Sequence, residues 1–271
     1  MPLTSVRRYS FEECIHRAQT LFRIWPSAAE VLQTLLQVLQ FQGSLQAFLE
    51  RSKFHSFNAE QTFPWAIDLF PLLPHFRTFL QIMAASNSPT LAEKAEKLKM
   101  ANPDVWEEHL QRYWTHANQN VPSTEAFFLR AFLQPIAEYL AEESAISTAN
   151  YARSLCPYCG RKPACGVLRP EGDGAKRSLI CSFCSSEWEY RRIVCPACEQ
   201  QDVERLPVYT AEDCAYIRME ACDVCKTFIK TIDLTKDGRA IPLIDEIGSL
   251  PLTLWAQERG YSKLERNLLL L

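Results

Sequence analysis

Cys156-Pro157-Tyr158-Cys159-Gly160, Cys181-Ser182-Phe183-Cys184, Cys195-Pro196-Ala197-Cys198 and Cys222-Asp223-Val224-Cys225 place eight of the chain's 11 cysteines in four Cys-x-x-Cys pairs between residues 156 and 225. A two-residue spacer lets both sulfurs of a pair reach one ion from a tight turn, and two such turns complete a tetrahedron around zinc or a single iron. Four pairs therefore make two four-thiolate sites. The separations set the pairing: 21 residues lie between Cys159 and Cys181, 23 between Cys198 and Cys222, and only 10 between Cys184 and Cys195. One site is then Cys156, Cys159, Cys181 and Cys184, and the other is Cys195, Cys198, Cys222 and Cys225. Aligning Cys156 with Cys195 and Cys181 with Cys222 gives offsets of 39 and 41 residues, the mark of an internal duplication.

Working outward, the residues flanking these turns alternate as short strands do. Leu179 to Cys181 and Ile217 to Cys222 lead into turns, while Trp188, Tyr190 and Ile193, or Phe228, Ile229 and Ile232, lead out of them. Each unit resembles a zinc ribbon or a rubredoxin turn pair. Gly160 follows the second cysteine of the first pair, where glycine eases the turn, but Ser185, Glu199 and Lys226 stand at the other three equivalent positions, so at least some of those turns are expected to be strained or less regular. Units this small bury too little surface to fold by burial alone, which gives the metals a structural role first. Iron electron transfer and thiol exchange are the active alternatives; the second lacks a thioredoxin-like βαβ pattern around it.

The chain has 271 residues and divides by composition: of eight glycines only Gly43 precedes residue 150, while all five histidines (His16, His55, His75, His109, His116) lie before residue 120. The first part reads as about six helices. Ser10 with Glu13 and Ser27 with Glu30 have the capping-box spacing, and Ser88-Pro89, Asn102-Pro103 and the Pro122 to Glu125 stretch are further starts. Pro71, Pro74 and Pro135 are expected to kink or divide their helices. The expected fold is α+β: an all-α helical domain over 1–150, with a linker within Ala141 to Asn150, then four-cysteine modules at 151–193 and 194–240, then a tail at 241–271 with one helix around Leu250, Leu254 and Trp255.

Cys14, Cys165 and Cys214 are read as free buried thiols, with Cys165 near enough in sequence to approach the first ion. His109 and His116 face one way on a helix, but Trp106, Leu110, Tyr113 and Trp114 between them favour packing over metal binding. Glu93, Lys94, Glu96, Lys97 and Lys99 form a solvated helix face. No phosphate-binding glycine loop, nucleophile elbow or HExxH is found, so no catalytic residue is assigned. From residue 151 onward 17 Lys/Arg balance 17 Asp/Glu, unlike the basic footprint of a nucleic-acid binder. No signal-peptide core opens the chain and no apolar run of about 18 residues occurs. Reduced thiolates and this absence of a leader predict a cytoplasmic protein.

The helical region followed by Cys156-Pro157-Tyr158-Cys159-Gly160 with Pro163, Cys181-Ser182-Phe183-Cys184 with Glu187-Trp188, Cys195-x-x-Cys198-Glu199, and Glu220-Ala221-Cys222-x-x-Cys225 with Lys230 resembles the FdhE family. Asp245-Glu246, Ser249-Leu250, Glu258 and Gly260-Tyr261 extend the likeness into the tail. It implies an accessory factor, not itself an enzyme, required for formate dehydrogenase maturation and engaging that enzyme's catalytic subunit. It also implies rubredoxin-like iron at the two four-cysteine sites, where spacing alone leaves zinc an equal choice. Lys226, where a glycine is usual, and Glu189, where histidine is common, depart from the pattern. A zinc-ribbon nucleic-acid adaptor and a rubredoxin-like electron carrier are the competing readings, and a homodimer is compatible with all of them.

Overall fold

The computed structural model describes residues 9–54, 67–115, 123–144 and 151–269. Six helices cover the described part of the first region: α1 (Phe11–Ile24), α2 (Ala29–Ser52), α3 (Leu73–Ala84), α4 (Pro89–Lys99), α5 (Pro103–Trp114) and α6 (Ser123–Glu143). Their starts follow the local chemistry. Ser10 accepts from the Glu13 amide while the Glu13 carboxylate accepts from the Ser10 amide at 2.7 Å, so the expected capping box forms. Asn102 caps α5 by accepting from the Asp104 amide at 3.1 Å. The Ser27–Glu30 box does not form. Pro26–Ala28 instead makes a 3-10 turn, and Ala28 sits at the cap of α2 with no side-chain bond. Pro71 falls in a separate 3-10 turn (Phe70–Leu72), and Pro74 lies in the first turn of α3, where its missing N–H leaves no helical bond unmade. Pro135 does not divide α6, which runs through it to Glu143.

After residue 150 the strands are β1 (Pro163–Glu171), β2 (Gly174–Cys181), β3 (Glu187–Glu189), β4 (Val208–Tyr209), β5 (Ile217–Cys222), β6 (Thr227–Asp233) and β7 (Ser262–Lys263). They form one sheet in the order β3-β2-β1-β6-β5-β4, with β7 added in parallel to β6. Within each unit the pairing is antiparallel and local. The units are joined by a parallel pairing of β1 with β6, Gly166 opposite Thr231 and Val167 opposite Ile232. Gly166 permits that approach, since a Cβ there would lie 2.4 Å from Thr231 Oγ1.

The tail holds two short helices where one was expected, α7 (Pro242–Gly248) and α8 (Leu250–Glu258). α7 packs on both parts of the molecule. Asp245 is fully buried and receives Arg17 of α1 through Nε at 2.9 Å and Nη2 at 2.5 Å, the Tyr216 hydroxyl at 2.9 Å and the Ile241 amide at 2.8 Å. Glu246, also fully buried, pairs with Lys230 of β6 at 3.0 Å and with Lys263 of β7. One apolar core runs from Leu21, Leu35 and Phe132 of the helices to Leu179, Phe183 and Trp188 beside the first cysteine unit. Residues 145–150 of the expected linker, His55 and His116 lie outside the described residues; His109 bonds Glu125 at 2.5 Å.

Candidate metal centres

The backbone around each cysteine pair repeats. Cys156, Cys181 and Cys195 donate their amides to the carbonyls of Arg161, Ser186 and Gln200 at 2.8, 2.9 and 2.9 Å, and Gly160 and Glu199 donate back to Cys156 and Cys195 at 2.9 Å each. The residue after every pair adopts the left-handed conformation: φ is 70° at Gly160, 53° at Ser185, 62° at Glu199 and 53° at Lys226. All four turns thus share one geometry, and the three side-chain-bearing residues take a strain that glycine would avoid. Ser185 is held there by its hydroxyl bond to Glu138 of α6, and Lys226 by its ion pair with Asp223 at 2.7 Å.

These turns bring together Cys156, Cys159, Cys181 and Cys184 in one group and Cys195, Cys198, Cys222 and Cys225 in another, the sulfurs of each lying within 4.8 Å of one another. Cys156 and Cys184 are 3.5 Å apart, Cys159 and Cys181 3.3 Å, and both Cys195–Cys225 and Cys198–Cys222 are 3.7 Å. A metal–sulfur bond of about 2.3 Å requires tetrahedral sulfur edges of about 3.8 Å. The second group meets that spacing and the first is slightly tighter. Backbone amides already point at the sulfurs, Phe183 to Cys181 at 3.3 Å and Ala197 to Cys195 at 3.4 Å, as thiolate ligands require.

Burial and the neighbouring sulfurs shift the thiols in opposite directions within each group. Burial pushes the Cys156 and Cys181 thiols up, whereas at Cys184 the same burial is outweighed by hydrogen bonding with the three neighbouring cysteines and Ser186, which brings it down. In the second group burial is outweighed at Cys225 by Thr227 and the neighbouring cysteines, bringing its thiol to about 7. Four thiolates this close repel one another, and a divalent ion between them would offset that repulsion. The donor set and its spacing fit zinc and iron equally.

The two groups differ in their surroundings. All four sulfurs of the first are buried, and the helical region seals them. Phe183, between Cys181 and Cys184, packs edge-on to Tyr113 and Trp114 of α5 at 6.0 and 5.8 Å. The Arg161 guanidinium lies 3.9 Å over Phe183 and donates to the Tyr113 carbonyl at 2.6 Å. Arg130 of α6, itself buried, donates to the Ser182 carbonyl and to the Arg266 carbonyl at 2.8 Å. Glu187 forms a two-pronged pair with Arg169, and Trp188 donates to the Arg153 carbonyl at 3.0 Å, so both motif residues brace the unit. Nothing in the spacing of Arg130, Arg161 or Phe183 marked these roles.

In the second group Cys198 is exposed and Cys225 half-buried. Beside it opens a cavity of about 400 Å³, lined by Cys195, Cys222, Arg192, Arg218, Val203 and Val208 among others. Of its lining residues Ile193, Val203 and Val208 are exposed by 54, 64 and 46 %, and Val224, between Cys222 and Cys225, by 54 %. Cys165 stays out of both groups; it lies on β1 in an apolar cluster with Val167, Ile180, Ile217 and Ile232, and burial pushes its thiol up. Cys214 is buried and unligated, and Cys14 is half-buried on α1.

The sequence matches the family descriptions "FdhE, central domain" over residues 155–192 and "FdhE, C-terminal domain" over residues 180–270. It is 29% identical over 269 residues to the "Protein FdhE homolog" of Aquifex aeolicus (strain VF5), covering 94% of each chain. With "Protein FdhE" of Escherichia coli (strain K12) it shares 27% identity over 215 residues, 75% of this chain and 68% of that one. The crystal structure of the FdhE protein from Pseudomonas aeruginosa superposes with a TM-score of 0.74 at 24% identity, over 99% of this chain and 98% of that one, a likeness of fold.

Proposed function

The chain belongs to the FdhE family, and from that premise we propose that it is an accessory protein of formate dehydrogenase maturation that binds the enzyme's catalytic subunit. The proposed ligands are Cys156, Cys159, Cys181 and Cys184 for one ion, and Cys195, Cys198, Cys222 and Cys225 for another, with iron the metal favoured by family resemblance. Each ion ties two distant turns into one folding unit. The proposed units are the helical domain 1–150, the modules 151–193 and 194–240, and the tail 241–271. Eleven cysteines without a disulfide among the described residues suit the reducing cytoplasm, and no described helix is long and apolar enough to cross a membrane.

The asymmetry of the two groups carries the client-binding reading. The first is enclosed by α5 and α6, whereas the second keeps an apolar rim and a neighbouring cavity open to a partner. A client docked there covers Ile193, Val203 and Val208 while the sealed unit and the helices hold the platform rigid. The test is co-purification of the formate dehydrogenase catalytic subunit with the tagged chain, together with enzyme activity in cells lacking it. Ile193→Glu with Val203→Glu should lose the client while retaining two metal equivalents. Full enzyme maturation without the protein would overturn the proposal.

One observation favours a second reading: the exposed Cys198 sulfur gives electrons a route to the surface, as in a rubredoxin-like carrier. Reversible reduction of a coloured iron form distinguishes that reading, and a colourless zinc protein excludes it.

A further inference from the structure

One face of β5 and β6 floors the cavity beside the second cysteine group. Arg218, Glu220 and Cys222 alternate along β5 and so share that face, and Glu220 and Cys222 stand opposite Ile229 and Thr227 of β6. Arg192, Ile193, Val203 and Leu206 line it from the connecting segments, and Val208 from β4. Most of the lining is apolar, so the charged side chains in it decide what chemistry it accepts.

Those side chains are Arg192, Arg218 and Glu220. Glu220 is already neutralised from behind: Arg177 of β2, its side chain 2% exposed, donates to it through Nε at 3.1 Å and Nη2 at 2.6 Å. The two lining arginines are not committed in this way. Arg192 is exposed and Arg218 half-buried, and neither guanidinium has a hydrogen-bond or ion-pair partner among the described residues. Neither donates to a cysteine sulfur, so their donors are not spent on the neighbouring thiolates. Two free guanidinium forks beside apolar surface match the planar, two-oxygen geometry of a carboxylate.

We propose that this cavity recognises an acidic polypeptide segment, with Asp or Glu side chains set between apolar residues. The proposal rests on the reading that a client docks beside the second cysteine group, and it names the chemistry of the segment that docks. The carboxylates meet Arg192 and Arg218, and the apolar residues cover Ile193, Val203 and Val208. Two observations favour a polypeptide over a free small anion. The exposed apolar rim is wider than a small anion covers. Val208 also lies on β4, the end strand of the sheet, whose far edge has no strand partner among the described residues and can pair with an extended backbone.

Calorimetric titration of the full metal-loaded chain with the capped pentapeptide Val-Glu-Val-Glu-Val tests this. It should bind with Kd below about 1 mM, and its Val-Gln-Val-Gln-Val counterpart at least tenfold more weakly. Raising salt from about 0.05 to about 0.5 M should weaken the acidic peptide alone. The Arg192→Gln, Arg218→Gln pair should lose at least tenfold in affinity while keeping two metal equivalents and an unchanged urea midpoint. Equal binding of the two peptides, tighter binding of acetate or of a single-stranded oligonucleotide, or loss of metal from the Gln pair would overturn the proposal. Co-purification separates it from the reading beneath it. If the Gln pair retains the catalytic subunit while Ile193→Glu with Val203→Glu loses it, the docking site stands and its acidic specificity falls; if both variants retain the subunit, the docking site falls too.

Discussion

Replacing Asp245 with Asn tests how the helical region and the sheet are joined. The carboxylate is fully buried and receives four groups: two nitrogens of Arg17, the Tyr216 hydroxyl and the Ile241 amide. Arg17 is itself 7% exposed, and its other acidic neighbour, Asp237, lies 3.6 Å away. Asn can keep one acceptor contact but not the charge, so a buried guanidinium loses its main partner. Removing one member of a buried pair costs about 3–5 kcal/mol. Asp237 offsets part of this, which places the expected loss near 3 kcal/mol, against a typical total of about 5–15 kcal/mol. Urea unfolding of metal-loaded protein, followed by circular dichroism, reads the change. The pair Arg17→Met, Asp245→Leu removes both charges and should be more stable than Asp245→Asn alone, because no buried charge is stranded. A loss below about 1 kcal/mol for Asp245→Asn, or a double variant less stable than the single one, would refute the reasoning.

Chelation should separate the two cysteine groups. The group with exposed Cys198 should yield its metal in a fast phase followed by a chromogenic chelator, and the sealed group only after denaturant is added; a single phase for both equivalents would contradict this. Two glycine exchanges should act with opposite signs in urea unfolding. Glu199→Gly relieves a left-handed residue on an exposed turn and should stabilise by about 0.5–1 kcal/mol. Gly166→Ala drives a methyl group into Thr231 at the β1–β6 contact and should destabilise by about 1–3 kcal/mol.

Much of the cysteine chemistry was legible because it is local. A Cys-x-x-Cys turn is set by its own four residues, and the short gap between Cys184 and Cys195 marked the boundary between groups before any contact was known. Ser10 and Asn102 announced their helices for the same reason. The missed features have no local signal. β1 carries Pro163, Gly166 and Pro170 and lacks a clean period of two, yet it is the strand that joins both units, through partners more than 60 residues away. The Ser27–Glu30 spacing suggested a box, but Pro26 drew the backbone into a tighter turn and moved the cap to Ala28. At least some of the turns at Ser185, Glu199 and Lys226 were expected to be strained or less regular. All three carry the strain but stay regular, adopting the left-handed geometry of Gly160, since closing four sulfurs into one group over-determines the turn.

By itself the sequence determined the helical region, the eight clustered cysteines, their grouping by four and the family likeness, because each is carried by residue type and short spacing. Only the tertiary structure decided that the two units share one sheet, that Phe183, Arg161 and Arg130 bury one cysteine group while the other reaches the surface, and that Arg192 and Arg218 line one cavity. Burial and long-range pairing depend on which surfaces meet after collapse, and that meeting leaves no period or spacing along the chain.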